Sequence, residues 1–106
     1  MSKIRIAING FGRIGRNLFK LLLDHPHIDV IAINDLSDNH TMSHLLKYDS
    51  IHGVLKSDVT FDEEAIIVDN NRYLFFHQKD AANLPWEKLD IDIVIDLPNG
   101  GIEFAN

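Results

Sequence analysis

The stretch Ile4-Arg5-Ile6-Ala7-Ile8-Asn9-Gly10-Phe11-Gly12-Arg13-Ile14-Gly15-Arg16 decides the reading of this chain. Its first five residues are short, apolar and β-branched, which predicts a buried strand. The strand runs straight into glycines at 10, 12 and 15. From Arg13 to Asp24, Ile14, Leu18, Leu21 and Leu22 fall at helical spacing, and Pro26 supplies a stop. A second β-branched run, Asp29 to Ile33, follows. Strand, glycine turn, helix and strand in that order make one βαβ unit, whose crossover is right-handed.

The glycines of Gly10-Phe11-Gly12-Arg13-Ile14-Gly15 match G-x-G-x-x-G. Their context gives the pattern a mechanism. The first glycine permits a tight turn, the second lets the backbone approach a pyrophosphate, and the third permits close contact between helix and strand. The helix start then presents unpaired N–H groups to the anion. A carboxylate about 20 residues on is expected to accept from the adenosine ribose hydroxyls. Asp35 stands 20 positions after Gly15, at the end of the second strand. A carboxylate there repels a 2′-phosphate, which favours NAD over NADP. The residues alone leave open a structural glycine turn with a solvated strand-end aspartate.

Working outward, Asn39 to Lys47 predicts a second helix with Met42, Leu45 and Leu46 on its inner face. Two β-like runs follow, Asp58 to Phe61 and Ala65 to Val68, and Asp69-Asn70-Asn71 turns the chain into Arg72 to Phe76. Leu84-Pro85-Trp86 belongs to a connector in which Trp86 is a packing residue. Ile91 to Leu97 is nearly all apolar, as a strand covered on both faces should be. The expected fold is α/β: a partial Rossmann (doubly wound) parallel sheet in the order 3-2-1-4, with a small β insertion. The strand over residues 91–97 is expected to form an open edge, with Ile93 and Ile95 uncovered and prone to self-association.

Composition narrows the function classes. The chain has 106 residues, 45% hydrophobic and 25% charged, with a formal net charge of −6. That is one globular domain, and its acidic balance argues against a nucleic-acid partner. No apolar run approaches the roughly 20 residues of a membrane span, and Arg5 interrupts a run already too short for a signal peptide. A cytoplasmic protein without a membrane partner is expected. Cysteine is absent, which removes disulfides, thiolate metal sites and a cysteine nucleophile. His40 and His44 lie one helical turn apart, but no third ligand has an interpretable spacing, so no metal is expected.

With these elements placed, residues 4 to 16 resemble the first strand and phosphate turn of glyceraldehyde-3-phosphate dehydrogenases. Ile33-Asn34-Asp35 is similar to that family's ribose-binding strand end, and Leu45 to Gly53 to the segment after its second helix. Leu84-Pro85-Trp86 and Asp92 to Ile95 continue the match in order. The resemblance covers residues 3–96 of a single NAD-binding domain, 1–106, with a divergent tail at 97–106. It implies NAD as cofactor of a glycolytic oxidoreductase, with contacts from Gly10, Phe11, Gly12, Arg13, Ile14, Gly15, Asn34, Asp35 and, through its backbone region, Lys79. The family's homo-oligomeric assembly is implied as well. A stand-alone adenine-nucleotide module or a remnant that binds nothing are the other expectations. The family reads Glu-Ser-Thr-Gly where this chain reads Asp96-Leu97-Pro98-Asn99. A frameshift is expected to account for both that change and the early stop, and a truncated gene fragment or a designed excision is the other expectation. The family's catalytic cysteine and histidine lie beyond this length, so the chain by itself is expected to be inactive.

Overall fold

The computed structural model describes residues 3–48, 57–98 and 100–104. In chain order they form β1 (Ile4–Asn9), α1 (Arg13–Leu22), β2 (Ile28–Asn34), α2 (Asn39–Tyr48), β3 (Val59–Phe61), β4 (Ala65–Val68) and β5 (Asn71–Phe76). A short 3-10 turn (Ala81–Asn83), β6 (Ile93–Asp96) and β7 (Gly101–Phe104) complete them. The part of the family-like segment that covers residues 49–53 lies outside the described residues.

One sheet carries every described strand, in the order β3-β4-β5-β2-β1-β6-β7. Its centre, β5-β2-β1-β6, is parallel and reproduces the expected order 3-2-1-4. The β insertion continues the sheet as an antiparallel ribbon beside β5. Asp69 and Asn70, with φ of 49° and 70°, make its two-residue turn. Left-handed backbone at both positions suits the twist of a tight hairpin, and Asp and Asn tolerate it better than branched residues.

The far side of the sheet corrects the expectation of an open edge at residues 91–97. β7 pairs antiparallel with β6, Ile95 opposite Ile102 and Asp96 opposite Gly101. The Gly100 N–H donates to the Leu97 carbonyl at 3.1 Å and closes the intervening turn. Pro98 and Gly100 are turn-forming residues, so the hairpin had a local signal. Ile93 and Ile95 are half-buried against the main core. The exposed edge belongs to β7, where Ile102 stands largely in solvent.

The main core lies under both helices. Ile6 and Ile8 of β1, Val30 and Ile33 of β2, Phe75 of β5 and Ile66 and Val68 of β4 meet Phe19 of α1 and Met42 and Leu46 of α2. On the opposite face Ala7, Ile91 and Val94 pack with Ile31, Trp86 and Leu89. That cover is the connector before β6. Arg5 pins it by donating from its guanidinium to the Leu89 carbonyl at 2.9 Å, and Asp92 accepts the Arg5 N–H at 2.9 Å. Trp86 meets Phe76 edge-on at 5.8 Å, in the packing role expected of it.

Phe19 is fully buried and contacts Phe11 and Tyr73 edge-to-face, with ring centroids 5.7 and 4.8 Å away. Phe19→Ala is expected to cost about 3–5 kcal/mol, the range for truncating a core aromatic. Urea unfolding followed by far-UV circular dichroism measures it. A loss below about 1 kcal/mol would mean that α1 does not depend on this contact.

Candidate functional site

The carboxyl ends of the parallel strands finish level. The Gly10 N–H donates to the Asn34 carbonyl at 2.7 Å, Asp35 N–H to Phe76 at 3.0 Å, and Leu97 N–H to Asn9 at 3.0 Å. A row of amides crosses the same ends. Asn34 takes the Gln78 N–H at 2.9 Å and donates to the Gln78 carbonyl at 3.0 Å and to Asn9 Oδ1 at 2.9 Å. Asn9 in turn donates to Asp96 Oδ1 at 3.2 Å. Asn34 and Asp96 are buried, and buried polar groups need partners of this kind. The row therefore locks three strand ends and the segment after β5 into one platform.

Above it, the glycine turn is shaped by two constraints. Gly10 has φ +99°, a conformation that disfavours any side chain. A methyl on Gly15 would overlap the Gly10 carbonyl and press on Leu97 Cδ1, so only glycine lets α1 approach β1 this closely. Phe11 anchors the turn from below, fully buried and edge-on to Phe19 and Phe75. Gly12 differs: nothing lies within 4 Å of where its Cβ would stand. It opens α1 in an ordinary extended conformation, φ −72° and ψ −163°, without a side-chain cap. The first turn carries no acidic residue. The helix start is thus left uncapped, with no acidic side chain in its own first turn, which suits it to binding an anion.

Asp35 joins turn and platform. Its Oδ2 accepts the Phe11 N–H at 2.7 Å, and its Oδ1 accepts the Ser37 N–H at 3.0 Å in an Asx turn. Each carboxylate oxygen keeps a second acceptor position. Next along the chain, Asp38 caps α2 by accepting the Thr41 N–H at 2.7 Å. This hydrogen bond holds the Asp38 carboxyl below its usual range.

A cleft of about 720 Å³ opens over the platform, lined by Asn9, Gly10, Asn34, Asp35, Leu36, Gln78, Lys79, Asp80 and Pro98. Of the residues expected from sequence, Gly10, Asn34, Asp35 and Lys79 meet there. Gly12, Arg13 and Ile14 are exposed at the helix start, whereas Phe11 and Gly15 are buried behind it. Leu36, two-thirds exposed on the cleft wall, was not expected, although an apolar residue directly after a strand-end aspartate is a visible signal. Gln78 and Pro98 enter through tertiary pairing that no local pattern announces. Of the two histidines one helical turn apart, His40 stacks on Phe61 and His44 tilts against Tyr48.

Comparison with known proteins agrees with this geometry. A family model described as the NAD binding domain of glyceraldehyde 3-phosphate dehydrogenase matches residues 4–101. Glyceraldehyde-3-phosphate dehydrogenases of Mycoplasma pneumoniae and Borreliella burgdorferi are each 50% identical over 93 residues, 88% of this chain. That of Geobacillus stearothermophilus is 43% identical over 93 residues, again 88% of the chain. In each case the match spans 28% of the relative's length.

The two glycines make a separable pair of tests. Gly15→Ala forces main-chain atoms apart and is expected to cost at least about 2 kcal/mol, within the range for overpacking. Gly12→Val meets open space and is expected to cost no more than about 1 kcal/mol, the loss of a favoured N-cap residue. Denaturant midpoints of the two variants check the order, and equal losses would contradict the geometry of the turn.

Proposed function

Since the chain belongs to the glyceraldehyde-3-phosphate dehydrogenase family, as its NAD-binding domain, we propose that the cleft over the strand ends holds the adenosine half of NAD. On this reading the chain is the cofactor-holding part of a phosphorylating aldehyde dehydrogenase. The observation that carries the proposal is the Asp35 carboxylate bonded to the glycine turn at Phe11, beside an uncapped helix start. A ribose acceptor and a phosphate cradle are then held in one rigid unit.

The residues present fit the cofactor in charge and in space. The Phe11 N–H is already committed to Asp35, so the anion donors are the N–H groups of the first turn of α1, including those of Arg13 and Ile14. Gly12 leaves the approach to them clear. The remaining acceptor positions of Asp35 suit ribose hydroxyls and repel a 2′-phosphate. Leu36 and Lys79 supply an apolar and a cationic wall. Bound NAD supplies the hydride acceptor for aldehyde oxidation. Oxidation through a thioester also requires a thiolate, and these 106 residues contain no cysteine. Binding without turnover is therefore proposed for the chain itself.

Titrations of the 106-residue chain with NAD, ADP-ribose and NADP test the reading. ADP-ribose is expected to bind within about threefold of NAD, with Kd of roughly 0.1–1 mM, or about −4 to −5.5 kcal/mol. Asp35→Asn keeps the shape but replaces one acceptor oxygen by a donor. It should weaken NAD by about 1–3 kcal/mol and NADP by less. Gly12→Val should abolish binding of all three while the fold persists. NAD binding tenfold tighter than ADP-ribose, or unchanged binding in Gly12→Val, would overturn the assignment.

A further inference from the structure

His77 follows β5 and reaches back to the two elements beside the cleft. Its Nδ1 lies 2.9 Å from the main-chain oxygen of Asp35, and its Nε2 lies 2.9 Å from Asn39 Oδ1, at the first residue of α2. A main-chain carbonyl can only accept. The orientation of Asn39 is also determined, because its Nδ2 donates to the Asp62 carbonyl at 2.8 Å and leaves Oδ1 turned to His77. Both ring nitrogens therefore face acceptors. Neutral imidazole carries one N–H and can satisfy only one of them, while imidazolium donates both.

We propose that His77, as imidazolium, is a positioning residue for the nucleotide site, bridging the Asp35 main chain to the start of α2 and so tightening nucleotide binding as pH falls. The inference rests on the adenosine-site reading above. The held atom belongs to the same residue whose carboxylate fixes the Phe11 N–H. Loss of one N–H sets a nitrogen lone pair against an oxygen lone pair and frees either Asp35 or α2. Histidine is the side chain that ordinarily changes charge between about pH 5 and 8.

Charged groups face the ring from each element packed on it. Asp38 and His40 of the α2 start, and Asp62 and Glu63 of the β3–β4 turn, line one cavity with His77. Asp62 is paired with Arg72 at 2.9 Å, while Asp38 and Glu63 add negative charge. Lys79 and Asp80 follow on the same segment and offset one another, and Phe75 packs on the ring at 5.2 Å. His40 lines the same cavity with its ring stacked on Phe61, so a His40 variant serves as the control.

The test measures the ADP-ribose Kd of the 106-residue chain from pH 5.5 to 8.5, together with the Phe11 amide resonance of the ligand-free chain. Affinity at pH 6 is expected to exceed that at pH 8 by about three- to tenfold. The Phe11 amide should shift in step with the His77 ring. His77→Ala should bind with the pH 8 affinity throughout and lose both dependences, whereas His40→Ala should retain them. His77→Lys keeps a cation but not the two-point bridge, and should not restore the pH 6 affinity. Full restoration by lysine at pH 8, or a pH dependence that survives in His77→Ala, overturns the positioning role. Binding without any coupling of Phe11 to His77 overturns it too. Coupling without ADP-ribose binding instead overturns the adenosine-site reading on which it rests.

Discussion

The contact between Gly15 and the Gly10 carbonyl sets the spacing on which the rest of this structure depends. Because no Cβ intervenes, α1 lies close enough to β1 for Phe19 to reach the sheet and for Phe11 to drop between Phe19 and Phe75. The same closeness directs the first turn of the helix over the strand ends instead of away from them. Three aromatic rings and two glycines thus solve one problem together. The rings supply apolar area, about 25 cal/mol for each Å² removed from water, and the glycines remove the atoms that would hold the rings apart. Packing and the anion cradle are consequences of a single approach distance.

Polar chemistry takes over where the apolar strands stop. Asn9, Asn34 and Asp96 end three neighbouring parallel strands, and each would be costly to bury alone. Joined side by side, they satisfy one another and extend the sheet's order by one further layer. Gln78 enters that layer through its backbone, so the segment carrying His77 and Lys79 is fixed without regular structure of its own. The cleft is accordingly preorganised on the β2 and β5 side. Preorganisation of this kind lowers the ordering cost that a weakly held ligand must otherwise overcome.

The extent to which this was legible in sequence follows from how local each signal is. The glycine turn, Asp35 and the parallel strands depend on residues near one another or on long apolar runs, and the structure places them as the pattern implies. The two-residue turn at Asp69-Asn70 was legible for the same reason. The edge assignment at residues 91–97 was not, because an apolar strand looks the same whether its neighbour is solvent or another strand. The turn that Pro98 and Gly100 make carries only two marker residues. The amide row and the His77 bridge join residues more than 20 positions apart, and side-chain pairing across a sheet has no periodicity to read. Phe11 and Gly15 show the converse limit. The motif marks them with the ligand-contacting positions, yet their side-chain requirements are set by packing behind the turn.

The segment after β6 gives the cleft its asymmetry. Leu97 and Pro98 pack on the glycine turn, Leu97 toward Gly15 and Pro98 toward Gly10. Pro98 forms the wall beside β6, and proline brings no main-chain N–H to that wall. The opposite wall carries Asn34, Asp35, Gln78, Lys79 and Asp80, with all three charged residues of the lining and most of its hydrogen-bonding groups. On the proposed reading a ligand gains its directional contacts on the β2 and β5 side, and among the described residues Pro98 offers it apolar surface. Specificity therefore concentrates on the end of the ligand that meets Asp35. The helix start, on that reading, treats any phosphate alike, since its N–H groups recognise charge and position but not the group attached. Two tasks are then separated, on the proposed reading, within one short stretch of chain: α1 attracts an anion, and the end of β2 decides which anion-bearing molecule is retained.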